Sequence, residues 1–196
     1  MEVMQAIKER RSIRKYRSEP VPEEALNAVL EAARWAPSWA NSQCWRLIIV
    51  RDPETRGKLA EILRTRKPGA KNSATEAVKI APILIVACAQ RGLSGCHTSE
   101  DIKGQPATEK GEWWLMFDVG LAMQNATLVA HTLGLGTVHI GMFDTDEVIK
   151  ILDIPDNLIV VELIVLGWPD EQPPPRRRKE IGDFVFHGKY SSENQS

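Results

Sequence analysis

Cysteine is scarce in this chain, net charge is almost absent, and no apolar run is long enough to cross a bilayer. The three cysteines, Cys44, Cys88 and Cys96, are odd in number and widely spaced. With no leader segment ahead of them, that pattern supports no disulfide framework and predicts reduced thiols in a cytoplasmic protein. Twenty-five Lys and Arg against 26 Asp and Glu leave a formal charge of −1, which excludes a chain-wide basic surface for nucleic acid. The most apolar stretch, Leu115 to Leu135, carries Asp118, Gln124, Asn125 and His131, so it reads as a buried core helix and not a membrane span. There is no internal repeat, and no low-complexity block beyond Pro173-Pro174-Pro175. Cys96 and His97 are adjacent, but two ligands do not make a metal site, so no metal is expected. The 196 residues suit one domain, 1–196, long enough to bury a core of useful size.

What the chain does have is local positive charge. Arg10-Arg11-Ser12-Ile13-Arg14 sets three guanidinium groups and a hydroxyl directly after a short helix with Met4 and Ile7 on one side. Guanidinium forks match phosphate oxygens bidentately, and a serine hydroxyl can donate to another oxygen. A second cluster, Arg176-Arg177-Arg178-Lys179, follows the proline run. Either cluster alone also fits a solvated face. The two together in a neutral chain point to one small anionic ligand.

The periodicity predicts an α+β order. A helix opens at Pro22, with Ala25, Leu26, Val29, Leu30 and Ala33 on one stripe, and stops at Pro37. A strand covers Trp45 to Val50, and a helix runs from Asp52-Pro53 to about Leu63. Residues 64–79 are basic and less regular. Ile83 to Cys88 is continuously apolar, the pattern of a central strand buried on both faces. Residues 90–112 are polar and glycine-rich, an exposed excursion or lid. A helix over 113–133, apolar on nearly all sides, ends at Gly134 and Gly136. Thr137–Ile140 is a short strand, Asp144 or Thr145 caps a helix to about Leu152, and Leu158–Leu166 is the longest strand. The tail from Trp168 lacks its own periodicity, so it wraps its own fold or a second subunit. The helix over 113–133 needs more cover than so small a domain supplies, which favours a homodimer.

Two further segments carry recognition chemistry. Ala36-Pro37-Ser38-Trp39-Ala40-Asn41-Ser42-Gln43-Cys44-Trp45 is rich in amide and hydroxyl groups beside two indoles, suited to a heterocycle edge and face or, equally, to satisfying its own turn. Gly134-Leu135-Gly136-Thr137-Val138-His139-Ile140-Gly141 is not a dinucleotide fingerprint, because its glycines follow a helix and precede a strand. Gly141 can still bring a backbone N–H close to a planar ligand.

These motifs, joined by Leu166-Gly167-Trp168-Pro169 and the Pro/Arg tail, resemble the nitroreductase family of FMN-dependent oxidoreductases over nearly the whole chain. The resemblance implies a nitroreductase-like α+β fold: a central, mostly antiparallel sheet flanked by helices, in an intertwined homodimer whose tails (168–196) wrap the partner. It implies bound FMN at the subunit interface and NAD(P)H as co-substrate. Arg10, Arg11 and Ser12, with Arg176 and Arg178, would hold the phosphate. Arg14 would lie toward the ribityl chain and the N1/C2=O edge. Pro37, Ser38 and Asn41 would come from the partner subunit, Asn72 would reach the pyrimidine edge, and Ile140, Gly141 and Met142 would line the ring. Catalysis would rest on Arg14, stabilising the anionic reduced flavin, and on the Gly141 N–H near N5. The implied reaction is ping-pong hydride transfer from NAD(P)H to nitroaromatics or quinones.

The chain departs from the family at Cys44, where proline is common, and at His139, where an aromatic is common. His139 reads as a packed or solvent-facing residue, with flavin or substrate contact as the other reading; His131 reads as core and His187 as surface. A same-fold enzyme of different reaction, such as a reductive dehalogenase, a flavin-cleaving enzyme or a dehydrogenase, stays open. So does a flavin-binding protein without turnover. A nucleic-acid binder with basic arms would show steep salt dependence, and the charge balance argues against it. No membrane partner is expected.

Overall fold

The computed structural model of the protein describes residues 1–67 and 69–190; the last six residues of the expected tail, 191–196, lie outside the described residues. Four strands form one sheet: β1 (Trp45–Val50), β2 (Ile83–Gln90), β3 (Gly136–Ile140) and β4 (Leu158–Gly167). Their order is β1-β2-β4-β3, and every neighbouring pair is antiparallel. Among the described residues six α-helices accompany them: α1 (Val3–Glu9), α2 (Glu23–Arg34), α3 (Pro53–Glu61), α4 (Thr75–Ile80), α5 (Trp114–Thr132) and α6 (Thr145–Leu152).

The apolar run of β2 follows from its place inside the sheet. Leu84, Val86 and Cys88 face one core with Leu59 of α3, Val78 of α4 and Val148 of α6. Ile83, Ile85 and Ala87 face the other, with Leu26 and Val29 of α2 and Val119 and Met123 of α5. Alternate side chains leave opposite faces of a strand, so only a strand covered on both sides reads as continuously apolar. Each fully buried Leu or Val in these layers contributes roughly 1.5–3 kcal/mol.

Caps settle the helix ends. The Asp52 side chain accepts the Thr55 N–H at 2.7 Å, with Pro53 in the first turn of α3. Asp144 does the same for α6, accepting from the Glu147 N–H. Past α5, Gly134 takes φ +78°, and the Leu135 N–H returns to the Ala130 carbonyl at 2.9 Å.

Four expectations need correction. Residues 64–79 are not irregular throughout, since α4 lies within them. The buried Arg56 of α3 donates to the carbonyls of Val78, Lys79 and Ala81, closing the C-terminal end of that short helix from a distant segment. The excursion 90–112 is exposed over 98–106 but not throughout: Ser94 and Cys96 are buried, and the Ala107 N–H bonds the Gly95 carbonyl at 2.8 Å. Helix α1 buries Ala6, while Met4 and Ile7 stay exposed. Helix α5 buries one stripe, Leu115, Asp118, Val119, Ala122, Met123 and Ala126, but leaves Phe117 56% exposed, and Trp113 just ahead of it is 81% exposed.

Candidate functional site

The two arginine clusters converge because the segment after α1 lies along the β3 edge and the tail lies along that segment. The Ile13 N–H donates to the Thr137 carbonyl at 2.9 Å, and Ser12 bridges Thr137 in parallel. Gly136 permits this approach, since a Cβ there would meet the Ile13 Cβ at 2.9 Å. The Arg17 N–H then donates to the Trp168 carbonyl at 3.0 Å, and the Asp170 N–H to that of Lys15 at 2.9 Å. The Glu171 carboxylate accepts the Arg14 and Lys15 N–H groups. The tail thus starts next to residues 12–17 and returns to them.

A cavity of about 190 Å³ results, lined by Arg10, Arg11, Ser12, Arg14, Arg176 and Arg178 with Pro173 and Pro174. Arg177 is absent from the lining; in extended chain, alternate residues face opposite ways. No carboxylate enters the lining, and among the described residues none of Arg10, Arg11, Arg176 or Arg178 forms an ion pair. Arg11 and Arg178 donate to nearby backbone carbonyls, which leaves guanidinium donors for an anion.

Arg14 also lines a second, adjacent cavity of about 340 Å³. Its Nε donates to the Ser73 hydroxyl at 3.2 Å, a partner that sequence spacing gave no sign of. The strand end Ile140, Gly141 and Met142 forms one wall, and a Cβ added at Gly141 would meet nothing within 4 Å. Asn72 lies in the lining, but its Nδ2 donates to the Arg64 carbonyl at 2.6 Å and its Oδ1 accepts the Ala74 N–H at 2.9 Å. It holds the chain into α4 while keeping one amide hydrogen available. Arg64, whose N–H donates to the Met142 carbonyl at 2.8 Å, Arg66 and Lys67 also line this cavity, which the sequence reading did not single out. His139 uses both ring nitrogens inside the protein, toward Thr127 Oγ1 at 2.8 Å and Glu162 Oε2 at 2.7 Å.

Pro37, Ser38 and Asn41 stand elsewhere. They precede β1, at the opposite edge of the sheet from β3. Three strand spacings separate those edges, about 14 Å sideways at 4.7–4.9 Å each. One protomer therefore does not bring this loop to the cavity beside Gly141. Within the loop, Ser38 Oγ accepts the Gln43 N–H at 3.0 Å, and Ala40, Asn41 and Gln43 all have positive φ.

The loop is tied to Asp118, a 1% exposed carboxylate of α5 that accepts from Trp39 N–H, Ser42 and Ser94. Sequence reading used Asp118 only against a membrane span. A lone carboxylate in an apolar helix also signals a buried, fully bonded charge. Burial and the Asp118 charge push the Cys44 thiol up to about 11, and burial does the same for Cys88. Cys96 shifts upward from burial as well, so the three buried cysteines are free thiols of low reactivity. His131 is half-buried in a neighbouring cavity of about 640 Å³, where burial, with Arg10 and Arg11 nearby, lowers its pKa. His187 is exposed.

Residues 7–168 match the description of the Nitroreductase family. The chain belongs to the nitroreductase family. It is 36% identical over 180 residues to a Methanothermobacter thermautotrophicus protein provisionally named NADH dehydrogenase/NAD(P)H nitroreductase, covering 90% of this chain and 82% of that protein. It is 32% identical to the FMN reductase [NAD(P)H] of Bacillus subtilis, over 90% of this chain and 70% of that one. Among solved structures, a nitroreductase family protein from Clostridium novyi superposes with a TM-score of 0.72 at 30% identity, over 89% of this chain and 90% of the other. This nitroreductase-family chain has no helix, among its described residues, long and apolar enough to cross a membrane.

Proposed function

We propose that this chain is an FMN-dependent NAD(P)H oxidoreductase, active as a homodimer, that reduces nitroaromatics, quinones or similar acceptors by a ping-pong mechanism. The carrying observation is the unpaired guanidinium cradle opening, through Arg14, onto the flat open wall at Gly141. The two cavities fit the two ends of FMN, a dianionic phosphate and a planar ring. FMN when bound supplies the hydride chemistry, accepting from the nicotinamide and giving to the acceptor.

The protein's own groups bind, orient and supply charge. Arg10, Arg11, Arg176 and Arg178 hold the phosphate with charge-assisted hydrogen bonds, and Ser12 adds a hydroxyl. Arg14, fixed by Ser73 and by the backbone bond to Glu171, places a permanent positive charge between the cavities. That charge favours a reduced, anionic ring over the neutral oxidised one. Ile140, Gly141 and Met142 would line the ring, with no Cβ at Gly141 to hold a planar ligand away.

A second copy supplies what one protomer lacks. Pro37, Ser38 and Asn41 lie at the far edge of the sheet, so in this reading they complete the partner's cavity. The exposed Trp113, Met116 and Phe117 along α5 give such a dimer an apolar face to bury. Names carried by relatives, FMN reductase among them, support the flavin and the donor.

The test is the visible spectrum of the purified protein, followed by anaerobic addition of NADH and then NADPH. Flavin bands that bleach, then return on adding a quinone, are the expected result. Failure to take up FMN at all would overturn the reading. Flavin that neither donor reduces would leave a binding protein in place of an enzyme. Sedimentation or light scattering tests the dimer.

A further inference from the structure

We infer that Asp118 is a positioning residue for the flavin site, its buried carboxylate fixing loop 38–43 and tying that loop to the excursion 90–112. The inference rests on the proposed flavin reading, because loop 38–43 matters to function only if Ser38 and Asn41 meet the cofactor.

A buried carboxylate with no cation beside it is unfavourable unless its lone pairs are filled. Asp118 belongs to none of the ion pairs found among the described residues. It is filled instead by donors from separate segments. The Trp39 N–H lies 3.1 Å from both oxygens. Ser42 Oγ lies 3.1 Å and Ser94 Oγ 2.7 Å from Oδ2, with the Cys44 thiol at 3.8 Å. Ser42 belongs to the loop and Ser94 to the excursion, so one oxygen joins the two.

The loop needs an external hold. Ala40 (φ 45°), Asn41 (φ 55°) and Gln43 (φ 45°) are left-handed, and none is glycine. Such conformations persist where surrounding contacts over-determine them. Apart from bonds within the loop itself and the Arg46 Nη1 bond to the Gln43 carbonyl at 3.1 Å, two contacts on one helix hold it. One is Asp118. The other is Trp114, whose ring centroid lies 5.1 Å from that of Trp39. Trp114 adjoins the exposed Trp113, and Asp118 stands within one turn of the exposed Met116 and Phe117. Asp118 therefore sits where the α5 apolar face, the excursion and the loop meet.

Asp118→Asn keeps the volume but leaves a single acceptor oxygen, so one hydroxyl or the Trp39 N–H faces an NH₂ group. The measurement is the FMN dissociation constant by fluorescence titration, with the visible circular dichroism of the bound flavin, in a cycle with Asn41→Ala. Expected are at least a tenfold weaker FMN constant, an altered flavin dichroism, and a double variant weaker by less than the product of the two single effects. Wild-type affinity and dichroism in Asp118→Asn would overturn the inference, as would strictly multiplicative effects in the cycle. Should Asp118→Asn fail to fold, Ser42→Ala and Ser94→Ala each remove one donor from Oδ2. A several-fold weakening in both is expected, and unchanged affinity in both overturns the inference. Wild-type protein that binds no FMN would sink the flavin reading; wild-type binding with indifferent Asp118 variants sinks this inference alone.

Discussion

Removing two guanidinium groups from the cradle should separate phosphate recognition from ring recognition. Arg10 comes from the end of α1 and Arg178 from the tail, and both line the cavity of about 190 Å³ without a carboxylate partner in it. Hydrogen bonds to charged groups contribute about 1.5–3 kcal/mol each. Arg10 is only half-buried and Arg178 is exposed, so the lower end applies to both, giving about 3 kcal/mol for Arg10→Ala with Arg178→Ala, or a roughly 100-fold weaker FMN constant. Riboflavin carries the same ring and ribityl chain without the phosphate, so its affinity should change by less than about threefold. Fluorescence titration of both ligands against wild type and the double variant measures the difference directly. Raised salt should weaken FMN more than riboflavin in the wild type, and that gap should shrink in the variant. Equal losses for the two ligands would mean that the variant damages the fold and not the phosphate site. Unchanged FMN binding would remove these arginines from the site.

Arg14→Ala should leave the protein yellow but slow anaerobic flavin reduction by about tenfold or more, since the charge that stabilises the reduced ring is gone; stopped-flow absorbance at saturating NAD(P)H reads this, and an unchanged rate refutes it. Gly136→Ala sets a Cβ 2.8 Å from Ile13 Cγ1 and 2.9 Å from its Cβ, so the arginine segment must shift. The expected loss is about 1–3 kcal/mol of stability, with weaker FMN binding, followed by thermal melting and titration. His131 has a pKa lowered by burial, with Arg10 and Arg11 also lowering it. A histidine whose folded pKa lies below its unfolded value near 6.5 is stable neutral, and stability falls as pH drops from about 6.5 through the folded value. Melting temperature of His131→Gln against wild type, compared at pH 7.5 and 5.5, should show a smaller acid loss in the variant; equal losses would refute the assignment.

Where the signal was local, the chain could be read directly. β1 runs from Trp45 to Val50 as predicted, and of the two cap candidates for α6, Asp144 and Thr145, Asp144 is the cap. Helix α4 was missed for a non-local reason. Six residues make less than two turns, too few to declare themselves by periodicity, and Arg56 closes the helix from α3. Polar composition marks 90–112 as an exposed excursion or lid, while the Asp118 carboxylate that ties Ser94 is far away in sequence and leaves no local signal. The exposed half of α5 was legible only as an excess of apolar residues without a place to go.

By itself the sequence determined the order of the four strands and of every α-helix but α4, the two-sided burial of β2 and the two arginine clusters, because strand alternation, helix periodicity and charge are properties of neighbouring residues. Tertiary structure alone decided two other matters. Ser73 fixes Arg14, and loop 38–43 lies at the far edge of the sheet, held by Asp118. Each depends on contacts between segments tens of residues apart, where strand order, and not spacing along the chain, sets the distance.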